Sequence, residues 1–176
     1  MSGRSVRVSA STTSDVLTER DGGLTNGDSS MRFDLWLADA CRTADVSYDD
    51  FILTIAIGGY PCLPGTVPGS PRTFDEIDLL ALYVYGRLLT FGIGALRAGE
   101  YAGRVHAALR TDADATSVAI VLTPHGGKRV VVEGEPHAPA RSEKIAFDIS
   151  AIRRFLNRRI EHLCEEQPQD QSMSCS

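Results

Sequence analysis

The chain has 176 residues, 43% of them hydrophobic, which leaves room for one domain of ordinary size with a closed core, plus tails. A formal net charge of -5 gives no overall attraction to phosphate, so contact with nucleic acid would need a local basic patch. No hydrophobic leader opens the sequence, no apolar run approaches the roughly 20 residues that span a bilayer, and Cys41, Cys62, Cys164 and Cys175 lack zinc-ligand spacing; a soluble cytoplasmic protein with free thiols is expected.

Residues 1–30 are rich in Ser, Thr, Gly, Asp and Arg without period 2 or period 3.6, so a disordered arm is expected there, and 167–176 reads as a disordered tail. From Asp34, the residues Leu35, Leu37, Ala38, Cys41 and Ala44 recur at helical spacing and predict a first helix, closed by a tight turn at Val46-Ser47. Ser47 can cap a second helix running to about Ile57, where Asp49 and Asp50 favour the positive end of the helix dipole. Gly58-Gly59 ends it. Tyr60 to Pro71 then holds Pro61, Pro64, Pro68 and Pro71 with Gly65 and Gly69, a composition that forbids a helix and permits a loop or a short hairpin.

Thr73 or Asp75 caps a third helix, apolar around most of its circumference through Ile77, Leu79, Leu80, Leu82, Val84 and Leu88. Gly92 and Gly94 break it before a fourth helix of small residues, Ala95, Ala98 and Ala102, with Val105 and Leu109; the two are expected as an antiparallel hairpin. Ser117 to Thr123 and Lys128 to Glu133 are Val/Ile-rich and flank Pro124-His125-Gly126-Gly127, a β-hairpin pattern. A loop with Pro136 and Pro139 follows, then a short apolar segment Ile145 to Phe147. Asp148 or Ser150 next caps a last helix with Ile149, Ile152, Phe155, Leu156, Ile160 and Leu163 on one face.

Two helices about a short turn, a Pro/Gly segment, then Arg72-Thr73-Phe74-Asp75-Glu76-Ile77-Asp78-Leu79-Leu80 with Leu82, Leu88 and Gly92-Ile93: this order resembles the DNA-binding domain of MerR-type transcriptional regulators. In that family an Arg-x-aromatic step after the wing leads into an acidic-aliphatic pair and a Leu-rich helix that ends in Gly. The resemblance spans residues 33–109 and implies a winged helix-turn-helix unit over 31–110; the residues after it read as a hairpin-plus-helix module over 111–166, so an α+β chain is expected. It implies a transcriptional regulator acting on double-stranded DNA, expected as a homodimer. The long coiled coil and metal-binding loop of full-length MerR-type regulators have no counterpart after the fourth helix.

A reading helix needs polar or basic residues toward base edges and phosphates, yet Ser47 to Gly59 carries Asp49, Asp50 and the apolar run Phe51-Ile52-Leu53 with no basic residue. Ser47, Tyr48 and Thr54 remain as DNA contacts, against the alternative that Ser47 only caps and Tyr48 only packs. Arg72 is placed either to hold a phosphate or to pair with Asp75 or Asp78. Arg153, Arg154, Arg158 and Arg159 gather opposite the apolar stripe of the last helix, where they could track phosphates, meet an acidic protein surface, or form a solvated face paired with Glu161. Lys128, Arg129, Arg141 and Lys144 could extend that patch.

His106, His125, His137 and His162 stand singly, without metal spacing or a nucleophile elbow, so neither catalysis nor a cofactor nor a metal is expected. Phe51 and Tyr85 could pack or form an interface. Two functions therefore stand: DNA contact through the wing and the basic C-terminal helix, or a protein-interaction, antirepressor-like adaptor that keeps the wing fold but grips a protein through its acidic, apolar second helix.

Overall fold

The computed structural model of the chain describes residues 7–9, 32–65, 67–122, 128–132 and 143–165. In chain order these form β1 (Arg7–Ser9), β2 (Arg32–Leu35), α1 (Leu37–Thr43), α2 (Tyr48–Ala56), β3 (Arg72–Asp75), α3 (Glu76–Thr90), α4 (Ala95–Thr111), β4 (Ser117–Leu122), β5 (Lys128–Val132), β6 (Glu143–Asp148) and α5 (Ile149–Glu165). The fold is α+β, with two antiparallel three-stranded sheets ordered β1-β2-β3 and β5-β4-β6.

The helix expected from Asp34 starts instead at Leu37. Residues 32–35 alternate, with Phe33 and Leu35 buried and Arg32 exposed, and that period of 2 sends them into a strand. Its partner is β3, which sets Phe33 opposite Phe74 in the core and brings the Thr73 hydroxyl to donate to Asp34 Oδ1 at 2.6 Å. The pairing joins positions about forty residues apart, so no local pattern announces it. Within the segment read as an arm, Arg7–Ser9 pairs with the free edge of β2. The rest of residues 1–30, the 167–176 tail, the turn at 124–127 and the loop holding Pro136, His137, Pro139 and Arg141 lie outside the described residues.

Asp45, in the left-handed region at φ 57, makes the tight turn that joins α1 to α2. The described part of Tyr60 to Pro71 holds no strand, so the loop alternative is the one taken. At the start of α3, Asp75 Oδ1 accepts from the Asp78 amide at 2.9 Å and Asp78 Oδ2 accepts from the Asp75 amide at 3.0 Å, a reciprocal cap built from two aspartates. Ile77, Leu79, Leu80, Leu82, Val84, Tyr85 and Leu88 bury α3 on nearly every side. Gly92, at φ +78, closes it, and α4 returns alongside, so that its last turn reaches the first turn of α3.

The β4–β5 hairpin forms as expected, and the short apolar segment lengthens to β6, which pairs with the other edge of β4 and sets Phe147 opposite Val118. Asp148 Oδ1 caps α5 by accepting from the Ala151 amide at 2.8 Å. Ile149, Ile152, Leu156 and Ile160 of α5 join the same core as Phe33, Phe74, Leu80 and Leu88, and the rings of Tyr83 and Phe155 stand 5.4 Å apart. One continuous core thus crosses the boundary expected near residue 110. Among the described residues no helix is long and apolar enough to cross a membrane.

Candidate functional site

The second helix sorts its residues sharply. Ser47 serves as N-cap, its Oγ accepting from the Asp50 amide at 3.4 Å. Phe51 is fully buried, edge-on to Tyr60 at 4.8 Å and tilted against Tyr85 at 5.3 Å, so neither Phe51 nor Tyr85 offers itself to an interface. Thr54 also faces inward: its hydroxyl lies 2.7 Å from the Tyr85 hydroxyl and donates to the Asp50 carbonyl at 2.9 Å. A side chain so enclosed cannot reach a base edge, which removes Thr54 from the expected DNA contacts. Thr54→Val is expected to cost about 1–2 kcal/mol in urea unfolding, because it strands the buried Tyr85 hydroxyl.

What α2 turns to solvent is apolar and acidic. Leu53 is 66% exposed, Ile57 63% and Tyr48 44%, with Ile52 at the margin, and Asp49 and Asp50 are exposed on the first turn. Leu96, exposed at the start of α4, lies over Gly59 just beyond the end of α2 and extends the surface onto a second helix.

The arginines are divided rather than gathered. Arg72 reaches neither Asp75 nor Asp78; its guanidinium donates to the Pro64 carbonyl and so ties the proline-rich loop to β3. Arg153 donates to the Ala113 carbonyl, and its Nε lies 3.3 Å from Glu76 Oε2, joining α5 to α3. Arg159 donates to the Arg42 carbonyl at 2.5 Å, joining α5 to α1. Only Arg154 and Arg158 of the expected basic face stand exposed, one helical turn apart. The side chains of Lys128 and Arg129, and all of Arg141, lie outside the described residues.

Asp75 and Asp78, which the sequence offered as one alternative for Arg72, pair instead with Arg110. From the last turn of α4 its guanidinium reaches Asp75 Oδ2 at 2.5 Å and Asp78 Oδ1 at 3.0 Å, and His106 Nε2 lies 2.9 Å from the same Asp78 oxygen. Acidic groups at the N-terminus of α3 and a cation at the C-terminus of α4 each suit the local helix dipole. Burial alone would raise the Asp78 pKa, but the His106 and Asp75-amide hydrogen bonds and the Arg110 charge outweigh it and hold the carboxyl below its ordinary value. No local pattern links position 78 to 106 and 110; only the antiparallel packing of α3 on α4 does.

Burial pushes the Cys41 thiol up to about 12, so it fills the core as a neutral side chain rather than acting as a nucleophile. Among the described residues no group of three His, Cys, Asp or Glu side chains is arranged to hold a metal ion. Set beside known proteins, the chain matches no family model and no curated protein.

Proposed function

We propose that this chain is a protein-interaction module in which a winged helix-turn-helix-type unit has turned its second helix from DNA to protein. The observation that carries this reading is the solvent-facing side of α2, where Tyr48, Leu53 and Ile57 stand exposed beside Asp49 and Asp50 with no basic residue on the helix. Carboxylates there oppose a phosphate backbone, whereas exposed leucine and isoleucine side chains gain by leaving water. The surface fits a partner protein that offers an apolar patch edged by Lys or Arg. Two copies meeting through this same face would bring their own aspartates toward one another, which favours a different protein over self-association.

Leu53→Glu combined with Ile57→Glu changes exposed positions only, so the variant is expected to fold normally. Proximity labelling in cells with the parent and variant chains identifies proteins whose labelling depends on α2; each is then purified and titrated calorimetrically. A one-to-one complex that weakens about tenfold or more in the double variant, and also in Asp49→Lys with Asp50→Lys, is the expected result. If no purified partner depends on α2, the proposal fails.

A second reading, MerR-like contact with double-stranded DNA through the C-terminal helix, rests on Arg154 and Arg158, which stand exposed one turn apart. It is tested by mobility shift at low salt. A complex at micromolar protein that is lost on Arg154→Ala with Arg158→Ala and survives the α2 substitutions would establish this reading in place of the first.

A further inference from the structure

The turn between α3 and α4 roofs a cavity of about 270 Å³ that shares no residue with the exposed face of α2. Its walls are Ile93 from the turn, Tyr101 from α4, Ile120 from β4 and Ile145 from β6, so the interior is predominantly apolar. Among the described residues that line it, Arg97 on the first turn of α4 is the one charged side chain. Arg97 is exposed and makes no ion pair among the described residues. The same turn has Gly94 as its N-cap, with no side-chain cap and no acidic residue. Its first amides therefore have no intrahelical acceptor, and the helix dipole adds positive potential where the arginine already stands.

An apolar pocket with positive charge concentrated on one side selects an amphipathic anion. The hydrocarbon body is removed from water by three isoleucines and a phenol ring, and the anionic head meets a guanidinium, which binds carboxylates through two parallel N–H donors. The volume lies just below the usual range of ligand cavities, ~300 Å³ and upward, which limits the body to a short chain or a single ring. We propose that this cavity is a binding site for a small monocarboxylate with a compact hydrocarbon body, Arg97 holding the carboxylate and Ile93, Ile120 and Ile145 holding the chain. Because the cavity is walled by α4 and the turn before it on one side and by β4 and β6 on the other, its occupant ties the helical hairpin to the second sheet.

Octanoate, octylamine and octanol, which share a chain and differ in head group, are the probes. Calorimetric titration of the full chain is expected to give saturable one-to-one binding of octanoate, about tenfold tighter than octanol and tighter still than octylamine. Arg97→Gln is expected to bring octanoate down to the level of octanol while leaving octanol unaffected, and Arg97→Lys to keep part of the preference. Arg97 is exposed, so these variants are expected to melt with the parent. In amide NMR spectra, octanoate is expected to shift the signals of Gly92, Gly94, Ile120 and Ile145. Equal affinity for octanoate and octylamine, an octanoate affinity unchanged in Arg97→Gln, shifts confined to other residues, or no saturable binding would each overturn the assignment.

Discussion

Gly99→Ala is expected to lower the unfolding free energy by about 2–3 kcal/mol, although alanine is the better helix former by about 1 kcal/mol. The helix gain is outweighed because a β-carbon at this position would fall on the carbonyl oxygen of Gly59 and stand 2.8 Å from its carbon and 3.5 Å from Tyr60 Cα. All three atoms are backbone, so no side-chain rotation relieves the overlap. Relief requires moving residues 59–60 away from α4, which opens the edge-on contact of Tyr60 with Phe51 and strains the 2.8 Å hydrogen bond from the Gly59 amide to the Thr54 carbonyl. At Gly86 the nearest atom to an added methyl is Val46 Cγ2 at 2.7 Å, the end of a side chain, so Gly86→Ala is expected to cost less. At Gly65 nothing lies within 4 Å, and the substitution there is expected to be close to neutral. Urea unfolding of the three variants reads the order directly; a Gly99→Ala protein within about 0.5 kcal/mol of the parent would show that the two glycines do not pack as described.

That close approach also marks where local sequence signals lose their reach. The chain announces α2, α3, α4, the β4–β5 hairpin and α5 through caps, glycine breaks and hydrophobic period, because each signal lies within a few residues of what it specifies. It does not announce β2 or β3, whose pairing depends on residues far apart, and β2 was masked by apolar positions that also fit helical spacing. For the site, acidic and apolar character on the second helix was readable from Asp49, Asp50 and Phe51-Ile52-Leu53. Which of those side chains faces water was not. Phe51 and Thr54 turn inward to Tyr85, a residue on another helix, and leave Leu53 and Ile57 outside. The arginines illustrate the same limit. On a helical wheel Arg153 to Arg159 form one basic face, yet the neighbouring carbonyls of Ala113 and Arg42 draw off the two flanking members. Net positive potential depends on what a helix packs against, and spacing within the helix does not contain that.

The aspartate pair at the start of α3 yields the other large effect and the one with a pH signature. Asp78→Ala is expected to destabilise the fold by about 3 kcal/mol at pH 7, since it leaves Arg110 and His106 without their shared acceptor and removes the half of the reciprocal cap that the Asp78 side chain accepts from the Asp75 amide. The figure is not larger because the Arg110 side chain keeps its pairing with Asp75 and, being 39% exposed, regains water where Asp78 is lost. Asp78→Asn keeps an oxygen able to accept from the Asp75 amide and removes only the charge, so it is expected to fall between the parent and Asp78→Ala. The sign of the pH dependence follows from the direction of the shift. The folded-state pKa of Asp78 is lowered below 3.8, so the stability it contributes is fully present above the ordinary value and is lost as pH falls through the depressed one. Arg110 is shifted the other way: burial alone would lower its pKa, but Asp75 and Asp78 outweigh it and raise it above the ordinary guanidinium value, so it stays charged throughout this range. Unfolding free energies of the parent and Asp78→Asn, measured from pH 7 down to pH 2, are therefore expected to differ most at neutral pH and to converge below the ordinary carboxylate value. A gap of constant size across that range would mean that Asp78 acts through shape and hydrogen bonding alone. Convergence, with Asp78→Ala still less stable than Asp78→Asn at the acid end, would separate the charge that joins α3 to α4 from the cap that starts α3.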